Sequence, residues 1–249
     1  MVYDYLGQWD KSIADYSKAV SIYPEDLDAY INRGVAYGKL GQWNKAIVDY
    51  SKAIEIDPNC ITAYSNRGIA YGNLEQWDKE ITDDSRVIMI DPKYTVALYN
   101  RGIAYGSIGQ WDKAIADESR LIEIDPKYAD AYNYRGIANC NLGQWDQAIT
   151  DFSKTIEISK QYATAFYNRG NAYYYMRQWN KAIDDFSKSI ELDPKSAKTY
   201  YNRGITYGYI GQWNKAIADY TSAIGIDPDY SIAYSSREAA YRNLHSKKM

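Results

Sequence analysis

Residues 27–60 read LDAYINRGVAYGKLGQWNKAIVDYSKAIEIDPNC. Apolar or small side chains recur at Leu27, Tyr30, Gly34, Tyr37 and Leu40, and again at Trp43, Ala46, Ile47, Tyr50, Ala53 and Ile54. Both sets follow the three-and-four spacing of one helix face, with no two-residue alternation to suggest strands. Gly41 supplies a left-handed stop between them, and Asp57-Pro58 ends the second set. The stretch therefore predicts a helix, a tight turn, a second helix and a Pro-marked link.

The same phrase returns along the chain. NRGVAYGKLGQW begins at residue 32, NRGIAYGNLEQW at 66, NRGIAYGSIGQW at 100, YRGIANCNLGQW at 134, NRGNAYYYMRQW at 168 and NRGITYGYIGQW at 202, a period of 34 residues. At 249 residues the chain is long enough for one large domain or two ordinary ones. A fixed period overrides that prior, because repeats stack in one dimension. Six full units are expected at 27–60, 61–94, 95–128, 129–162, 163–196 and 197–230. A partial unit (1–26) precedes them and a closing helix with its tail (231–249) follows, all in one domain, 1–249. Glycine inside a helix costs roughly 1 kcal/mol relative to alanine. Gly34, Gly68, Gly102, Gly136, Gly170 and Gly204 are therefore expected to permit close backbone approach, with Ala46 and its equivalents as the facing small surface. Trp43, Trp77, Trp111, Trp145, Trp179 and Trp213 are expected to wedge the turns.

The pattern Tyr30, Gly34, Ala36, Tyr37, Gly41, Trp43, Ala46, Tyr50, Ala53, Pro58 resembles the tetratricopeptide repeat, and the likeness spans essentially the whole chain. It implies an all-α fold, an α-solenoid of antiparallel helix-turn-helix repeats forming a right-handed superhelix. The first helix of each repeat would then line a concave groove.

Departures from the family pattern carry further expectations. Arg33, Arg67, Arg101, Arg135, Arg169, Arg203 and Arg237 stand where the family usually has a large aliphatic residue. Asp15, Asp49, Asp83, Asp117, Asp151, Asp185 and Asp219 recur with the same period, predicting Arg–Asp pairs within one repeat or with the repeat before. Such pairs add specificity more surely than stability. In the second and third repeats Asp84 and Glu118 replace the aromatic seen at Tyr50, while Val87 and Leu121 replace the alanine seen at Ala53 and refill part of its volume. With Glu80 they suggest a local polar network involving Arg67, Arg86, Arg101 or Arg120. Glu238, at the repeat glycine position, suits a solvent-facing cap. Met1 enters in mid-repeat, so either the chain is trimmed from something longer or the face of residues 9–22 meets another molecule.

Charge narrows the functional classes. The 29 basic and 32 acidic residues give a net charge of −3, with no basic stripe for nucleic acid and no polybasic membrane arm. No apolar run is long enough to span a bilayer and no secretory h-region opens the chain, so a cytoplasmic location is the default expectation. Cys60 and Cys140 lie outside any paired spacing, arguing against a disulfide framework or zinc site. The lone His245 near the end of the chain leaves nucleophilic catalysis without an oriented base. No catalytic, metal or cofactor residue is expected.

What the resemblance places in the groove is a row of amides and phenols. Asn32, Asn66, Asn100, Asn168 and Asn202 occupy one register, interrupted by Tyr134. A carboxamide offers a donor and an acceptor together, which suits an extended peptide backbone at roughly 1 kcal/mol per net bond. The alternative is bonding within the scaffold or to water. Tyr99, Tyr167, Asn171, Tyr174, Tyr175, Tyr201 and Tyr209 complete the candidate peptide-binding set. Tyr174 and Tyr175 come from the unusual YYYM at 173–176, beside Arg177 in place of the turn glycine. Clustered tyrosines are favoured contact residues, unless Tyr174 merely fills the space left by Asn171. The family's carboxylate clamp is not rebuilt, because Tyr167, Ile232 and Ser236 fall where its cations belong and Lys198 alone does not suffice.

The expected function is a non-catalytic scaffold that holds a peptide segment of a partner protein. The alternatives are a self-assembling module stacked end to end through its terminal helices, and a regulatory fragment of a larger protein.

Overall fold

The computed structural model describes residues 2–246, all of them helix or connecting turn. They fall into two compact units, Met1–Pro126 and Lys127–Met249. The first holds α1 (Val2–Tyr5), α2 (Trp9–Ile22), α3 (Leu27–Lys39), α4 (Trp43–Ile56), α5 (Ile61–Asn73), α6 (Trp77–Ile90), α7 (Thr95–Ser107) and α8 (Trp111–Ile124). The second holds α9 (Ala129–Asn141), α10 (Trp145–Ile158), α11 (Ala163–Tyr175), α12 (Trp179–Leu192), α13 (Ala197–Tyr209), α14 (Trp213–Ile226) and α15 (Ser231–Ser246). Within each unit consecutive helices form hairpins, and the second helix of one hairpin packs on the first of the next.

Local chemistry sets the connections. The hairpin turns end on a residue in the left-handed region, glycine at Gly7, Gly41, Gly109, Gly143 and Gly211, but Glu75 (φ 56°) and Arg177 (φ 58°) at the other two. At the links, Asp57 Oδ1 accepts from the Asn59 N–H at 2.9 Å, and Asp91, Asp193 and Asp227 do the same two residues on. That Asx turn, with proline between, explains the recurring Asp-Pro.

The helical glycine answers to a ring rather than to backbone. A Cβ added at Gly34 would sit 2.5 Å from the Tyr50 ring, and one at Gly136 would sit 2.6 Å from Phe152. Backbone approach against the alanine is thus not the main reason for the glycine; the aromatic sixteen residues later fills the gap. Burying a large side chain contributes about 1.5–3 kcal/mol, which outweighs the roughly 1 kcal/mol cost of a helical glycine. Core clusters sit at the hairpin junctions: Ala46 and Tyr50 with Ala70, Ala148 and Phe152 with Ala172.

The ion pairs form within a repeat. Arg33 Nε and Nη2 donate to Asp49 Oδ2 and Oδ1 at 2.8 and 2.7 Å. Arg67–Asp83, Arg101–Asp117, Arg135–Asp151, Arg169–Asp185 and Arg203–Asp219 repeat this two-pronged contact. The preceding repeat contributes a hydroxyl instead of a carboxylate: Arg67 Nη1 donates to Ser51 Oγ at 2.9 Å, which itself donates to the Ile47 carbonyl. Ser17, Ser85, Ser153 and Ser187 receive Arg33, Arg101, Arg169 and Arg203 in the same way. An aromatic face covers each guanidinium, with Arg67 between Tyr64 and Tyr71 at 5.6 and 5.9 Å.

The polar network expected around the substituted acids does not form at Asp84 and Glu80. Asp84 is fully buried with neither oxygen hydrogen-bonded, and Glu80 Oε2 is likewise without a partner. The reason is stoichiometric: Arg67 and Arg101 spend their donors on Asp83, Asp117 and the serines. Arg86 and Arg120 reach outward to the Pro58 and Pro92 carbonyls of the links. Burial pushes Asp84 up to about 9, with Glu80 adding to the effect, and pushes Glu80 itself up to about 7. Val87 and Leu121 are fully buried beside the substituted positions.

Two predictions follow from this packing. Glu75→Gly relieves a left-handed non-glycine residue and should stabilise by about 1 kcal/mol, raising Tm by roughly 2–4 °C in calorimetry. Asp84 and Glu80 bind protons more tightly folded than unfolded, so their contribution is complete below pH 4 and declines as pH rises toward 9. The triple variant Glu80→Ala, Asp84→Tyr, Val87→Ala, which restores the residues of residues 46, 50 and 53, should therefore melt higher than the parent. The gap should be wider at pH 9 than at pH 5, and equal gaps would contradict the assignment.

Candidate functional site

In the second unit, α9, α10, α11 and α13 enclose a cavity of about 510 Å³ without a charged residue in its lining. Helical spacing accounts for its walls. On α11, Tyr167, Asn168, Asn171, Tyr174 and Tyr175 lie three or four apart and so share a face. Ile137, Cys140 and Asn141 of α9 oppose them, with Trp145 and Phe152 of α10 at one side and Asn202 and Ile205 of α13 at the other.

Amides tie the walls together. Asn202 Nδ2 donates to Asn171 Oδ1 at 2.9 Å and to Tyr167 Oη at 3.1 Å, and Asn168 Nδ2 donates to Asn133 Oδ1 at 3.2 Å. Both protons of Asn202 are used, so it presents an acceptor, whereas Asn171 retains its two N–H donors. Burial pushes the Cys140 thiol up to about 11, so it lines the cavity as a neutral, unreactive group.

The phenols form a ladder. Tyr175 stacks on Trp145 with centroids 4.8 Å apart and planes within 15°, and Tyr209 stacks on Trp179 at 4.7 Å and 7°. Tyr174 stands edge-on between them, 5.5 Å from Tyr175 and 5.6 Å from Tyr209. Burial, with the Tyr209 hydroxyl beside it, raises the Tyr174 phenol above its ordinary value, keeping it protonated. Tyr175 and Tyr209 nevertheless remain 63% exposed. Rings so held lose little freedom when something lands on them. A second cavity, of about 450 Å³, adjoins this ladder and is lined by Tyr174, Tyr175, Arg177, Trp179 and Tyr209.

The candidate residues thus divide. Tyr167, Asn168, Asn171, Tyr174, Tyr175 and Asn202 come together in the larger cavity, and Tyr209 borders the smaller one. Tyr201 departs from its expected open position: it is only 9% exposed, packed on Tyr220 and Tyr230 at 5.7 and 5.2 Å between hairpins. In the first unit Asn32, Asn66 and Asn100 are half-buried on α3, α5 and α7, with side-chain amides that make no hydrogen bond among the described residues; Tyr99 is half-buried on α7. Sequence reasoning gave Trp145 and Trp179 to the turns alone and missed them as platforms. The signal was a tyrosine thirty residues after each of these tryptophans, where the other repeats have Lys39, Asn73, Ser107 or Asn141. Among the described residues no three His, Cys, Asp or Glu side chains gather as a metal site, and no helix is long and apolar enough to cross a membrane.

Models described as tetratricopeptide repeat match residues 27–60, 163–196 and 197–230, then 119–150 and 96–128, and one described as TPR repeat matches 2–41 and 140–176. No curated protein matches the sequence. Among solved structures, YrrB, described as a TPR protein with an unusual peptide-binding site, is 25% identical with a TM-score of 0.64 over 74% of this chain and 95% of its own. MamA is 28% identical with a TM-score of 0.63 over 66% of this chain and 96% of its own. A tetratricopeptide repeat protein from Parabacteroides merdae ATCC 43184 shares the fold at 19% identity, TM-score 0.71, over 96% of this chain and 94% of its own. With its helical hairpins, its period and these matches, the chain belongs to the tetratricopeptide repeat family.

Proposed function

We propose that this protein is a non-catalytic scaffold that binds a peptide segment of a partner protein in the second unit, between α9, α11 and α13. The observation that carries this reading is the uncharged cavity lined by carboxamides and phenols, with Tyr175 exposed and pre-stacked on Trp145 and Tyr209 likewise on Trp179 in the adjoining cavity. A peptide backbone presents N–H and C=O groups in turn. Asn171 and the phenols match the carbonyls, and the Asn168 and Asn202 oxygens match the N–H groups. The likeness to YrrB, a TPR protein with a peptide-binding site, supports the same reading.

A second reading, end-to-end self-association, rests on a different observation. Ile232, Tyr234 and Tyr241 on α15 and Tyr5, Leu6, Ile22 and Tyr23 around α1 and α2 are exposed. Residues 1–126 carry 13 basic and 20 acidic side chains, whereas residues 127–249 carry 16 and 12, so the two units carry opposite net charge and the first unit of one copy attracts the second of another.

The two readings separate cleanly. On an array of acetylated, amidated 12-residue peptides, the parent should retain a subset of sequences. Tyr175→Ala or Tyr209→Ala should weaken these roughly tenfold or more, with helicity unchanged and Tm lowered by only a few degrees through the lost stacking, and Asn171→Ala about fivefold. If all three variants bind like the parent, the peptide reading fails. Self-association predicts a light-scattering mass that climbs with concentration and drops to the monomer in Ile232→Glu; a monomer at every concentration removes it.

A further inference from the structure

The ladder of rings ends on a cation that the repeat pattern does not call for. Arg177 occupies the hairpin turn between α11 and α12 in the left-handed region, φ 58°, where five other turns have glycine. Its side chain is exposed, makes no ion pair and covers no ring among the described residues, unlike the six arginines paired with aspartates. It lines the smaller cavity with Tyr174, Tyr175, Trp179 and Tyr209, and no carboxylate shares that lining. Glu75, the other non-glycine residue in such a turn, borders no comparable ring cluster.

We propose that Arg177 is the specificity-determining residue of this site, selecting peptides that place an acidic side chain beside the segment held on the tyrosines. The inference rests on the peptide-binding reading and deepens it. A guanidinium with all its donors uncommitted, set against low-dielectric rings, pairs with a carboxylate by charge-assisted hydrogen bonds. The tyrosine hydroxyls lining the same cavity are further donors to the same oxygens. The charge of the unit agrees: residues 127–249 carry four more basic than acidic side chains. Left-handed strain in a non-glycine residue at a ligand surface is the pattern expected where a side chain is kept for what it contacts. The anion is an internal glutamate or aspartate or a peptide C-terminus, two sources of one chemistry.

The test uses the full chain and an array of acetylated 12-residue peptides, each made in three forms: with Glu and an amidated end, with Gln and an amidated end, and with Gln and a free carboxylate. The parent should prefer the Glu form, or the free-carboxylate form, over the neutral one by roughly tenfold, a preference halved or more in logarithm at 0.5 M salt. Arg177→Gly should abolish the preference while still binding neutral peptides, and should melt roughly 2–4 °C higher because the strain is gone. A variant that gains stability and loses only charge discrimination has lost a ligand contact and no part of the scaffold. Equal preference in parent and Arg177→Gly overturns the role of Arg177 and leaves peptide binding standing. If neither protein retains any peptide, the peptide-binding reading falls and this inference with it.

Discussion

Each hairpin from α3–α4 to α13–α14 is organised around a guanidinium. The aspartate sixteen residues later grips it with both oxygens at 2.6–3.0 Å and a tyrosine or phenylalanine covers its face, while at Arg33, Arg67, Arg101, Arg169 and Arg203 the preceding hairpin's serine takes a third donor. The carboxylate fixes the height of one helix against its partner. The serine ties that hairpin to its predecessor. Two charges taken out of water contribute little net stability, but a two-pronged pair has one geometry, so a register slip would strand a buried charge. The rest of the stack, including the alignment of site residues across α9, α11 and α13, depends on that register.

Glycine and ring form the complementary apolar lock, and the exceptions show its tolerance. At Gly34 and Gly136 the aromatic sits where a Cβ would be, while at Gly68 and Gly102 a carboxyl group of Asp84 or Glu118 takes that place. The hairpin survives because the ion pair still sets register and because Val87 and Leu121 are buried nearby. The cost falls on proton uptake: a carboxyl group kept out of water stays protonated to a higher pH than in the unfolded chain. The first unit thereby has a pH dependence that the second, with Phe152, Phe186 and Tyr220 at the same position, lacks at those positions.

The peptide-binding reading depends on a different economy. Tyr175 and Tyr209 are exposed yet immobilised on Trp145 and Trp179, the amides of Asn171 and Asn202 orient each other, and Asn133 orients Asn168. The arrangement is paid for in folding, so less ordering remains to oppose association. It also explains why the tyrosines concentrate in the repeats with the most individual sequences. A platform needs a tryptophan from one hairpin and a tyrosine from the next, and only residues 175 and 209 supply the second partner.

Helices, turns, hairpin boundaries and the recurrence of Arg with Asp were all legible in the chain, because each follows from neighbours within a few residues or from a fixed period. Trp43 starts α4 and Gly41 stops the helix before it on local backbone grounds alone. What the string of residues left open was the choice among partners at similar height. Asp49 rather than Asp15 pairs with Arg33, Tyr50 rather than Ala46 meets Gly34, and Tyr201 packs inward while Tyr209 stays out. Asp84 ended without a partner although four arginines were within sequence reach. Those outcomes are competitions for a limited number of donors and a limited volume between packed helices, and such competitions are settled only when the helices meet.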